Sequence, residues 1–135
     1  MLKILFLVLL TLTLNANTFS IASYNVENFF DLNNDNDEYS EFIPNTKSNW
    51  NQNTFNIKVN NLVKVLSDID ADIIALQEVE NRELMQLLLK KLPNYHYFSF
   101  IKYPDSAIGV GFLSKIKIKE NRQLDVKFTT KVYRP

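Results

Sequence analysis

The spacing of apolar residues changes several times along the chain, and each change marks an element. Phe19 to Val26 has the composition of a strand that ends on polar residues. From Thr54 to Ser67, Ile57, Val59, Leu62, Val63 and Leu66 recur every three or four positions, with Lys58, Asn60, Asn61 and Lys64 between them. That spacing predicts an amphipathic helix. Ile73, Ile74, Ala75 and Leu76 form a continuous apolar run, expected to be a strand buried on both faces, which stops abruptly at Gln77 and Glu78. Asn81 suits a helix N-cap and Glu83 its first turn; Leu84, Leu87, Leu88 and Leu92 then make a second apolar stripe that Pro93 ends. Tyr95 to Tyr103 and Ala107 to Leu113 read as two strands of a hairpin joined through Pro104, Asp105 and Ser106. Lys115 to Lys119 alternates strictly, which predicts a solvated strand with its lysines on one wet face, or a basic stripe for nucleic acid; Gln123 to Tyr133 adds a further short strand or two.

Between the first strand and the first helix lies Asp31 to Glu41, acidic and rich in asparagine, which reads as a surface loop. Asp31, Asn33 and Asp35 occupy the first, third and fifth positions of a calcium-binding loop, but Asn36 stands where that loop needs glycine and Phe42 where it needs glutamate. His96, between tyrosines, reads as a packing residue.

Residues 1–17 have one lysine followed by an apolar run too short for a comfortable membrane span, the pattern of a signal peptide cut near Ala16. Export to the periplasm or the medium follows as the expectation. About 118 residues would remain, enough for one small domain over 18–135. There is no cysteine, so an exported chain depends on packing, partners or metal rather than disulfides. The formal net charge of zero gives no global field toward nucleic acid, and any phosphate binding has to be local.

The candidate chemistry sits where two apolar strands end, at Asn25 and Glu78. Ser23-Tyr-Asn-Val-Glu-Asn-Phe-Phe-Asp31, then Asp70-Ala-Asp-Ile-Ile-Ala-Leu-Gln-Glu-Val-Glu-Asn81, then Ile108-Gly-Val-Gly-Phe-Leu-Ser-Lys115, resemble in order and spacing the endonuclease/exonuclease/phosphatase superfamily of DNase I-like phosphodiesterases. The resemblance implies an α/β (α+β) fold, half of a four-layer αββα sandwich, with one mixed sheet and both helices on one face. The other face would be left open and apolar. It further implies Glu78 as a ligand of Mg2+ (with Mn2+ or Ca2+ as substitutes), Asn25 on the site floor, and Arg134 on a substrate phosphate.

Members of that superfamily complete the site with an aspartate-x-asparagine, a further histidine and a terminal aspartate–histidine pair, none of which occurs at matching positions in this sequence. The chain is therefore expected to be the N-terminal portion of an exported phosphodiesterase, most readily a nuclease, and inactive by itself. Its partners would be a phosphodiester substrate, and either the missing C-terminal half or a second copy. A phospholipid or inositol phosphate hydrolase of the same superfamily and a non-catalytic secreted binding module are the rival readings.

Overall fold

The computed structural model describes residues 18–122 and Leu124. Arg134, all but Leu124 of the strand expected over Gln123 to Tyr133, and the signal peptide expected at 1–17 lie outside the described residues. Four strands, β1 (Ile21–Phe29), β2 (Ile73–Val79), β3 (Tyr97–Ile101) and β4 (Gly109–Ser114), form one sheet in the order β1-β2-β4-β3. β1 runs parallel to β2, while β4 is antiparallel to both β2 and β3, so the sheet is mixed. Two helices, α1 (Gln52–Ile69) and α2 (Arg82–Lys91), link β1 to β2 and β2 to β3.

Local chemistry sets the helix ends. Asn51 accepts from the N–H groups of Asn53 and Thr54, and the Thr54 hydroxyl accepts from Asn51 N–H, a reciprocal cap that starts α1. Asn81 caps α2 by accepting from Leu84 N–H at 3.0 Å. Both helices cover one face, where Val59, Leu62 and Leu66 of α1 and Leu84, Met85 and Leu88 of α2 pack with Val26, Ile74, Leu76 and Leu113 of the sheet. Phe55, Val59, Leu62 and Leu66 share the buried side of α1; Ile57, two residues from Val59, is turned away and is exposed, contrary to its expected place in the stripe.

The chain's two glycines both lie in β4, for steric reasons. A Cβ on Gly111 would stand 2.5 Å from Met85 Sδ, and one on Gly109 would run into the Ile101 carbonyl oxygen.

Ile21, Tyr97, Ile101, Val110 and Phe112 are exposed. They belong to the face opposite the helices, as the strand pairing requires. The expected open, apolar face is thus present among the described residues, and β2 is fully buried on one face only: Ile74 and Leu76 are sealed, Ile73 and Ala75 half-buried. At one end the segment after β4 crosses this face, and Ile118 and Asn121 line a small cavity with Ile73, Ser99, Phe112 and Ser114.

Lys115 to Lys119 is not a strand. The Ser114 hydroxyl donates to Ile116 O and accepts from Ile116 N–H, a tight side-chain turn that breaks the ladder, while Lys115 is drawn to Asp70 at 2.8 Å. His96 is exposed and precedes β3 instead of packing inside it.

Candidate functional site

Regular alternation along β2 would send Glu78 to the helix face with Ile74 and Leu76. It does not go there. Glu78 has a left-handed backbone, φ 66°, which inserts one residue into the alternation. Gln77 still lies opposite Asn25, Val79 returns to the core beside Phe29, and the register shifts between them. The Glu78 side chain is left over the end of β1. Non-glycine residues pay for this conformation, about 1–3 kcal/mol, and keep it only where the surroundings over-determine it.

Those surroundings are specific. Asn25 Nδ2 donates to Glu78 Oε1 at 2.7 Å, and the Asn28 N–H donates to Glu78 Oε2 at 3.0 Å. Asn25 Oδ1 accepts from Glu27 N–H at 2.8 Å, which fixes the amide's orientation. Glu27 and Asn28 are themselves left-handed, with φ of 54° and 58°. From α1, Lys58 Nζ donates to the Glu27 carbonyl at 2.9 Å. Burial lowers the Lys58 pKa, and the negative charges of Glu27 and Glu78 work against that shift.

Each Glu78 oxygen accepts one hydrogen bond and keeps a lone pair free. A carboxylate with spare acceptor capacity at an accessible strand end fits Mg2+, which takes one or two carboxylates and fills its shell with water and phosphate oxygens. A groove of about 520 Å3 opens beside Glu78 on the uncovered face, with Gln77, Ile101 and Val110 in its lining and the cations Lys102 and Arg122 at its walls. Both cations already have partners: Lys102 pairs with Asp37 at 3.3 Å and Arg122 with Glu120 at 2.6 Å.

A second acidic group includes Glu80, two residues beyond Glu78. Oxygens of Asp35, Glu38 and Glu80 come within 4.8 Å of one another. Glu80 is buried and accepts from Asp31 N–H at 2.7 Å and Asn81 Nδ2 at 3.2 Å. Burial pushes its carboxyl up to about 7; the charges of Asp31, Glu38 and Asp35 add to this, while the Asp31 N–H bond opposes it.

The chain matches the Endonuclease/Exonuclease/phosphatase family over residues 20–126. The chain belongs to this family. No curated protein and no solved structure matches it. Membership of the endonuclease/exonuclease/phosphatase family agrees with the mixed four-stranded sheet and its two helices, which correspond to half of a DNase I-like sandwich. It makes the chain part of a phosphodiesterase and phosphatase superfamily that is typically metal-dependent and acts on phosphodiester substrates in general. Among the described residues no helix is long and apolar enough to cross a membrane.

The fold brings Asn25 and Glu78, the two polar strand ends, together. It also assembles groups that sequence reasoning did not assign: the Asn28 N–H, the left-handed turn at Glu27 and Lys58. Lys58 had no distinguishing signal, since Asn60, Asn61 and Lys64 occupy equally polar positions of the same helix.

Proposed function

We propose that this chain supplies the metal-binding part of an exported, Mg2+-dependent phosphodiesterase, with nucleic acid as the favoured substrate. The observation that carries this reading is the Asn25–Glu78 pair, 2.7 Å apart at adjacent strand ends, with Glu78 lining a groove. In this reading Glu78 holds the cation, and Asn25 orients the carboxylate and offers its amide to a phosphate oxygen or a bound water. When bound, the cation supplies neutralisation of charge on the phosphoryl oxygens. The apolar run near the N-terminus supports export, and the arginine at 134 is assigned to a substrate phosphate.

A histidine base is the group these residues do not bring to the site. His96 is the sole histidine, and it precedes β3 at the end of the sheet where Tyr97 pairs with Ser114 and Ser114 with Ile73. Glu78 is at the far end of β2, seven residues long, a span of about 20 Å. The chain by itself is therefore expected to show no turnover above background, because losing a base costs roughly a hundred- to ten-thousand-fold in rate.

The test is binding and turnover together. Calorimetry of the chain with Mg2+ and Mn2+, beside Glu78→Ala, should show weak binding that the substitution abolishes. Assays on plasmid DNA and on bis-p-nitrophenyl phosphate should remain at background. Cation binding that survives Glu78→Ala would remove Glu78 from the site. Metal-dependent turnover lost in Glu78→Ala would show that the base is present within the chain or its dimer.

A further inference from the structure

We propose that Lys58 is the positioning residue of this site, holding the Glu27–Asn28 turn in the shape that orients the Glu78 carboxylate; the proposal rests on reading Glu78 as the cation ligand. The turn is gripped from two sides. Asn25 Oδ1 takes the Glu27 N–H at 2.8 Å, and the Lys58 ammonium takes the Glu27 carbonyl at 2.9 Å. The first grip is local, two residues along the strand; the second comes from α1, 31 positions away, and ties the turn to the helix layer.

Two successive left-handed residues without a glycine are unfavourable unless such grips hold them. What the conformation achieves is delivery of the Asn28 N–H to Glu78 Oε2 at 3.0 Å, opposite the Asn25 amide on Oε1. The carboxylate depends on the turn, and the turn depends on Lys58. Charge alone would give the lysine the opposite effect, because a fixed ammonium near Glu78 repels an arriving cation. Positioning and repulsion therefore predict opposite signs when the lysine is removed.

The experiment follows amide hydrogen exchange at Asn28 and Mn2+ affinity in the full chain, in wild type, Lys58→Met and Lys58→Arg. In wild type the Asn28 amide is expected to be protected. In Lys58→Met it should exchange roughly tenfold faster and Mn2+ should bind roughly tenfold more weakly, the scale of one lost charge-assisted hydrogen bond. Lys58→Arg, which keeps a charged donor, should restore both. Tighter Mn2+ binding in Lys58→Met would overturn the proposal in favour of simple repulsion. So would unchanged Asn28 exchange, or failure of Lys58→Arg to rescue.

Should Lys58→Met lose amide dispersion throughout, wild type and Lys58→Arg decide. An Asn28 amide that exchanges like a free one in wild type overturns the proposal. If wild type takes up no Mn2+ but Asn28 responds as expected, the cation reading of Glu78 fails and the positioning role stands.

Discussion

The Asn25 amide donates to Glu78 Oε1 at 2.7 Å, joining residues 53 positions apart in the sequence. Asn25→Leu removes that donor and leaves one oxygen of the carboxylate unheld. Mn2+ affinity measured by calorimetry should fall roughly tenfold, about 1.4 kcal/mol, and thermal stability should fall as well, since the Glu27 N–H loses its acceptor. Unchanged affinity would take Asn25 out of the site.

The two glycines of β4 differ in what surrounds them. At Gly111 an added methyl meets the end of the flexible Met85 side chain, so Gly111→Ala should cost about 1–3 kcal/mol in chemical denaturation. At Gly109 it meets the Ile101 backbone, which cannot step aside, and the loss should be larger. Gly111→Ala combined with Met85→Ala should be less destabilised than the sum of the two singles, since the clash has gone.

Asp72 ties the start of β2 to the start of β1 by accepting from Ser20 N–H at 2.9 Å and from its hydroxyl at 2.8 Å. The backbone bond first, then the hydroxyl bond, hold its pKa below the ordinary 3.8. A depressed acid stabilises the fold above its unfolded pKa and loses that contribution as pH falls through the folded value. Wild type should therefore lose stability below about pH 4 more steeply than Asp72→Asn. Parallel acid limbs in the two proteins would show the bonds to be energetically silent.

Trp50, the sole tryptophan, is buried at the base of the acidic loop and donates from Nε1 to Asp31 O at 2.7 Å. Asp31 is itself held by Glu80 through its N–H. Glu80→Ala breaks that chain of contacts, and tryptophan emission should shift to the red while the helical signal is kept. Glu80→Gln retains an acceptor oxygen and should leave the emission close to wild type.

Most of the scaffold was legible in the periodicity, because Leu62 and Leu66 of α1 and Leu84 and Leu88 of α2 bury against Ile74 and Leu76 as their spacing requires. The pairing of Asn25 with Glu78 was legible as two strands ending in polar groups. The means of pairing was not, since glutamate rarely adopts a positive φ and residue type gives no sign of one. Lys115 to Lys119 misled for a related reason: strict alternation predicts a strand only if the ladder continues, and the Ser114 hydroxyl ends it. His96 failed as a packing residue because β3 begins one residue later.

The strand order has a kinetic consequence. β3 and β4 are joined by a short connection and can pair early, whereas β1 meets β2 only after the loop and α1 have been threaded between them. The carboxylate and its amide come together in the longest-range pairing of the sheet, the one expected to close last. A chain caught part-way through refolding, with its hairpin and α2 already native, would still lack the Asn25–Glu78 pair.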